Sequence, residues 1–408
     1  VNQAPDRPLA GSAELAADDL AAVLEGSLRG PLAGSLPSLD GMTASGSAAA
    51  RLEGSFGQGV GSARGRVQIG AADLGGPGLE IRGLAADLPF DLSWSRPDPA
   101  APLSLSGPRL VGSLRFTSAA AGRLSVPATV AGLLVEADRV TLDQSLAIPL
   151  LGGQVELGEL ALADLMRPTR HLATSVELRG ISLAEASRVL GLPPLEGSLD
   201  GAFPRVRLTP TTLHVDGVGQ LALFGGRVEV SKISGQEVLG RYPRLLFDAR
   251  LVDLDLARLT LTFDFGKVTG ILAGEVSGCE LFRFVPVRFA GELRTVAEPG
   301  IPQRISLKAV NNIAIVGTGS GISNLGSGLL RRFISSYSYE AFGVSMVLEE
   351  DRFLLRGLER RGERELFLRG SLPFRLDVVN VDPGSTVSFR TMVDRLRNLD
   401  FSGVQTQP

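Results

Sequence analysis

The feature that most constrains this chain is a pattern that returns after 73 residues, each time around a double glycine. Leu150-Leu151-Gly152-Gly153-Gln154-Val155-Glu156-Leu157 recurs without a gap as Leu223-Phe224-Gly225-Gly226-Arg227-Val228-Glu229-Val230. The same offset carries Asp143 onto Asp216, Leu172 onto Leu245, and Leu183-Ala184 onto Leu256-Ala257. It also carries Leu195-Glu196-Gly197-Ser198-Leu199-Asp200-Gly201 onto Val268-Thr269-Gly270-Ile271-Leu272-Ala273-Gly274. A weaker earlier copy has Arg66-Val67-Gln68-Ile69, then Leu74-Gly75-Gly76-Pro77-Gly78-Leu79-Glu80-Ile81. A single unit of this kind cannot cover its own apolar face, so copies stack into one body. Function is then expected on an extended surface and not in a compact catalytic pocket.

Within the copies apolar residues recur at every second position, as in Val140/Leu142, Leu146/Ile148/Leu150, Leu213/Val215 and Leu221/Leu223. Such alternation describes a sheet with one apolar and one watered face. Fifty glycines and 24 prolines, with no collagen-like period, fit many short strands joined by tight turns. The Gly-Gly pairs are expected to be two-residue hairpin turns, where positive φ is needed. The predicted fold is therefore mainly β: an elongated, twisted antiparallel sheet built from repeats and folded into a groove, with short helices.

Helices are predicted at Ala13–Leu24, at 182–190 with Ser182 and Glu185 as a capping box, at Asn324–Ile334, and at the terminal Ser388–Asn398. Leu254–Phe265 and Asn311–Val316 read as strand-like, the former through Leu259-Thr260-Leu261-Thr262-Phe263-Asp264-Phe265. Three segments follow: an irregular 1–63, repeated units over 64–310, and a C-terminal cap over 311–408.

Most reactive chemistry is poorly supported. His171 and His214 are the only histidines and lie far apart, outside any metal-ligand spacing. The single Cys279 excludes an internal disulfide and reads as a small buried hydrophobe. Gly317-Thr318-Gly319-Ser320-Gly321 before a helix suggests a phosphate cradle but lacks the lysine. Arg331-Arg332 and Arg360-Arg361 offer anion contacts, although solvated faces account for them more simply. A net charge of −3 argues against a general nucleic-acid binder. Nothing assembles an acid, a base and a nucleophile, so the expectation is a non-enzyme without cofactor or metal. No apolar run approaches the 20 or so residues of a membrane-spanning helix. The start lacks an initiator methionine, which admits a removed targeting or anchoring segment.

What remains is apolar surface. In a sandwich the stripe is core; in a single curved sheet it lines a trough. An uncovered trough, at about 25 cal/mol per Å², must hold an apolar ligand or close upon itself. Periodicity leaves both outcomes open. The candidate lining residues are Val140, Leu142, Ile148, Leu150, Val155 and Leu157, with Leu213, Val215, Leu221, Leu223, Val228 and Val230, continued by Leu259, Leu261, Phe263 and Phe265.

The C-terminal portion resembles the YdbH branch of the AsmA-like proteins, also labelled a "dicarboxylate transport" domain. The residues that carry this are Gly326-Ser327-Gly328-Leu329-Leu330-Arg331-Arg332-Phe333, Phe342-Gly343-Val344-Ser345-Met346 and Leu354-Leu355-Arg356-Gly357-Leu358. Gly370-Ser371-Leu372-Pro373-Phe374-Arg375-Leu376-Asp377-Val378-Val379 is similar to the family's closing pattern, as is Val387-Ser388-Phe389 through Arg395-Leu396. Upstream, Gly180-Ile181-Ser182-Leu183 and Leu195–Gly201 resemble its recurring units, so the likeness covers roughly 130–400. The resemblance implies a Gram-negative periplasmic protein, anchored in the inner membrane at full length. It would carry phospholipid acyl chains along a hydrophobic groove to the outer membrane, where its C-terminal end meets a lipoprotein by strand addition. Two other readings stand beside it: a structural or adhesive β-solenoid with a packed interior and no ligand, and a periplasmic binding protein for small acids. The diacid label finds no convergent cationic groups on these strands.

Overall fold

The computed structural model describes residues 9–23, 41–57, 59–76, 78–95, 104–238, 240, 242–318, 336–372 and 375–397; of 314–318 and 395–397 only the backbone is described. Strands make up 68% of the structure, which settles the mainly-β class. They pair antiparallel in a sheet of many strands that does not close on itself, with a few short helices. Contacts divide the chain into two compact units. The first takes in Val1–Ile181, Asp200–Gly217 and Glu237–Arg241; the second takes in Ser182–Leu199, Val218–Gln236 and Tyr242–Pro408.

The repeat holds element by element. Strands Gly153–Ala163 and His171–Ser182 recur as Gly226–Gln236 and Arg244–Asp255. Helix Leu183–Leu190 recurs as Leu256–Thr262, and strand Thr212–Leu223 as Val285–Val296. The left-handed backbone positions recur as well, even where the residue changes. Glu159 (φ 49) becomes Lys232 (φ 54), Gly180 (φ 61) becomes Asp253 (φ 56), and Gly191 (φ 69) becomes Asp264 (φ 50). Glu159 and Lys232 sit in matching register shifts, between Gly158 and Ala161 and between Ser231 and Ser234. A bulge of this kind inserts one residue and re-phases the strand. Without it, Leu157 and Leu162 would fall on opposite faces; with it, they pair with Val176 and Leu172 of one face.

The bulges leave ladder amides to be satisfied, and aspartates on neighbouring strands do so. Gly83 N donates to Asp73 Oδ1 at 2.7 Å, Gly180 N to Asp200 Oδ1 at 2.8 Å, and Gly278 N to Asp248 Oδ1 at 2.7 Å. Each glycine is left-handed, where an L side chain is strained.

The double glycines work differently from the expected Gly-Gly turn. The two turn residues are Leu151 (φ 50) with Gly152 (φ 72), and Phe224 (φ 49) with Gly225 (φ 76). Positive φ at both positions is the turn that suits strand twist. The second glycine instead opens the next strand, where a Cβ on Gly153 would lie 2.5 Å from the Arg179 and Gly180 carbonyl oxygens.

Three further expectations are corrected. Ala13–Leu24 is not a helix: Leu9–Ala17 is a strand paired with Thr43–Gly57, and only Leu20–Val23 is helical. Asn311–Val316 lies inside helix Leu307–Thr318, which buries Ala309, Val310 and Ile313 at helical spacing. Leu259–Phe265 is not a strand: Leu256–Thr262 is helical, capped by Asp255, whose Oδ1 accepts from Ala257 N at 2.7 Å and Arg258 N at 3.3 Å. The threonines that made this stretch look β-like return their hydroxyls to the helix, Thr260 to the Leu256 carbonyl and Thr262 to that of Arg258. The terminal helix occurs at Phe389–Arg397. The predicted helix Asn324–Ile334 lies outside the described residues.

A packed core sits in the second unit. Leu254, Leu256, Leu272, Ile305, Val310, Tyr339, Phe367 and Leu368 form its centre, each at most 4% exposed. Tyr339 donates its hydroxyl to the Thr269 carbonyl at 2.7 Å, and burial pushes its phenol pKa well up. A smaller cluster joins Leu348, Phe353 and Met392, and so docks the terminal helix.

Candidate binding face

In the first unit the register assembles one face from apolar side chains. Ala50 lies opposite Val67, and Val67 opposite Leu88; Ala48, Ile69, Ala86, Leu114 and Ala131 form the adjoining row. The same face continues through Leu133 with Leu142, Val135 with Val140, and Val140 with Leu162. It ends in the rows Ile148–Val155–Leu178 and Leu146–Leu157–Val176. The other face is charged. Arg51 pairs with Glu14 at 3.3 Å, Arg66 with Asp87 at 2.7 Å, and Arg179 with Glu156 at 3.0 Å. These pairs are solvent-exposed and add little stability; their effect is to fix which face meets water.

No buried hydrophobic cluster gathers on this apolar face among the described residues, although Ala86, Ala131, Leu133 and Val135 on it are buried. Val140, Leu142, Ile148, Leu150, Val155, Leu157, Leu213 and Val215 are all partly buried, and none reaches core burial. The buried apolar residues of this unit are four alanines (Ala72, Ala86, Ala131 and Ala161) with Leu133, Val135, Ile181 and Phe203, and both contiguous buried clusters belong to the second unit. Partial burial without a cluster is what neighbours on one sheet give one another.

At one end of this face lies an open hollow of about 570 Å³ lined by Phe56, Gly59, Ala63, Leu92, Trp94, Leu105 and Met166. Trp94 and Phe90 lie over Gly61 and Gly65 on the next strand, which leaves no room there for a Cβ. The signal for this hollow was in the sequence, since Phe90, Leu92 and Trp94 alternate up to the only tryptophan.

In the second unit the predicted lining residues take several roles. Leu221, Leu223 and Val230 are partly buried strand residues, and Val228 packs against the core with Leu259 and Phe265. Leu261 and Phe263 are 59% and 53% exposed, on and just after the helix. Leu223 and Leu261 meet at an open hollow of about 700 Å³ together with Phe224 and Arg258, beside an edge-on contact of Phe224 and Phe263 at 6.3 Å.

The polar candidates are held in local structure. His171 Nδ1 is 3.0 Å from the Thr169 carbonyl, and His214 Nε2 is 3.4 Å from Asp216. Cys279 is buried, and burial raises its thiol pKa. Arg361 pairs with Asp377 at 3.0 Å, while Arg331-Arg332 lies outside the described residues. Gly317-Thr318 close helix Leu307–Thr318, so a helix and not a strand leads into this stretch, unlike the strand-led setting of a phosphate cradle; 319–321 lie outside the described residues. No three His, Cys, Asp or Glu side chains are grouped to hold a metal among the described residues, and no described helix is long and apolar enough to cross a membrane.

No family model, no curated protein and no solved structure matches the chain. The YdbH likeness therefore stands on the quoted residues alone.

Proposed function

We propose that this chain carries phospholipid acyl chains along the apolar face of its repeated sheet, between the inner and outer membranes of a Gram-negative envelope. One observation supports the reading: a many-stranded face of aliphatic side chains, most of them partly buried, that gathers no buried hydrophobic cluster among the described residues. Left in water, such a face costs about 25 cal/mol per Å² of its area, so an occupant of matching chemistry is favoured. A hydrocarbon tail has that chemistry, and its headgroup stays toward water. The face offers no directed polar contacts, so the tail slides over it without specific recognition. No side chain acts chemically.

The resemblance to AsmA-like YdbH proteins supplies the setting: a periplasmic location, an inner-membrane anchor at full length, and an outer-membrane lipoprotein met at the C-terminal end by strand addition. In this reading the first unit holds the lipid and the well-packed second unit is its scaffold. Native mass spectrometry of the purified chain tests it. Co-purified phospholipid, lost when Val155 and Leu157 become aspartate, supports transport; a chain free of lipid in gentle detergent contradicts it.

A further inference from the structure

We propose that the second unit meets a phospholipid bilayer through the hairpin tip Arg283-Phe284 and the aromatic–arginine cluster beside it. This goes beyond the acyl-carrying face and does not depend on it. Strand Ile271–Phe282 turns into Val285–Val296 through Arg283 (φ 52) and Phe284 (φ 63). The turns at Leu151-Gly152 and Phe224-Gly225 have the same left-handed pair but place glycine second. A bulky residue there is disfavoured, because its Cβ crowds the following carbonyl. Phe284 gains no packing in exchange: it is 70% exposed, and Val285 beside it is 53% exposed. An apolar residue held in a strained turn and pointed at solvent suggests a role outside the fold.

The surroundings are built to hold that tip out. Arg283 N donates to the Pro243 carbonyl at 2.8 Å, tying the turn to the neighbouring strand. Tyr242, itself 57% exposed, stacks on Phe282 with centroids 6.2 Å apart and planes 8° apart. The Arg244 guanidinium lies 5.2 Å from the same ring. Arg244 and Arg288 both reach the nearly buried Glu280, two guanidiniums to one carboxylate. Arg283 has no ion-pair partner among the described residues.

Exposed Phe, Val and Tyr framed by arginine match the headgroup level of a bilayer, where aromatic rings sit and arginines reach phosphate. A second protein fits less well, since a stable protein interface buries about 800 Å² per partner and a hairpin tip offers far less. An open basin of about 600 Å³ is lined by Arg244 and Phe282 and by both signs of charge, Arg288 and Arg352 together with Glu349 and Glu350. That balance suits a zwitterionic headgroup.

Flotation with vesicles of phosphatidylethanolamine and a minor share of phosphatidylglycerol tests the proposal on the whole chain. Phe284→Gly separates function from folding, because glycine is the residue this turn favours. The variant should melt at the same temperature or higher while its vesicle partition falls roughly tenfold. Tyr242→Ser should lower partition as well. Val130→Ser, at an equally exposed strand position of the first unit, should leave it unchanged. The proposal is overturned if the parent chain does not float, if Phe284→Gly floats like the parent, or if Val130→Ser loses as much. Lipid co-purifying with Phe284→Gly would show the acyl face working without the tip, so the two readings fail separately.

Discussion

Exchanging Val67, Val155 and Val176 for threonine replaces three methyl groups by hydroxyls at nearly constant shape. All three lie on the apolar face of the first unit: Val67 opposite Ala50 and Leu88, Val155 opposite Ile148 and Leu178, Val176 opposite Leu157. In a dry, packed interior an unpartnered hydroxyl costs about 1–3 kcal/mol. Three such sites, close to additive, would cost about 3–9 kcal/mol, much of the 5–15 kcal/mol that holds a domain together. On an open face each hydroxyl keeps its water, and the cost stays near 0.5 kcal/mol per site, about 1.5 kcal/mol in all. For a unit of this size that shifts the melting temperature by roughly 3–6 °C. Trp94, the only tryptophan, belongs to this unit, so its fluorescence follows the relevant transition. A fold that survives with a small shift, together with weakened lipid retention, is expected. Loss of cooperative folding, or a drop well beyond 10 °C, would refute the reasoning from an open face.

Asp255→Ala removes a cap that serves two amides and should cost about 1–2 kcal/mol, more than Ser182→Ala, whose hydroxyl accepts only from Glu185 N. Thermal unfolding of the two variants gives the order, and the reverse order would contradict it. Phe367→Ala opens a cavity in the core of the second unit and should cost about 3–5 kcal/mol by urea unfolding; a cost below about 1 kcal/mol would deny that core. The Lys232 ammonium, hydrogen-bonded to Asp248, and then the Gly278 amide hold the Asp248 carboxyl below its ordinary value. A depressed folded pKa stabilises the fold above the unfolded value of 3.8, and this stabilisation is lost as pH falls below it. Asp248→Asn should therefore flatten the urea-midpoint profile in that acid range, and an unchanged slope would sink the assignment.

Much of the fold was legible because the repeat fixes strand lengths, turns and even left-handed positions, and alternation gives the faces. The failures share a physical cause. Leu259–Phe265 alternates like a strand, yet the preceding Asp255 caps a helix and the repeat had placed a helix at Leu183–Leu190; tertiary position overrode local pattern. At Asn311–Val316, β-branched residues suggested a strand, but the helix starts earlier, at Leu307, with the Ser306 hydroxyl accepting from Ala309 N at 3.3 Å. At Ala13–Leu24, alanine's helix propensity yielded to pairing with Ala48–Leu52. The candidate face was legible in its strand residues. Whether it was covered was not, because period two is the same for core and trough.

Photoreactive side chains at Leu142 and Val155, on the apolar face, and at Thr141 and Glu156, on the opposite face, bear most directly on lipid carriage. Irradiation in cells should give phospholipid adducts at the first pair and none at the second. Equal yields at all four positions, or no lipid adduct at Leu142 and Val155, would contradict an apolar face that holds acyl chains.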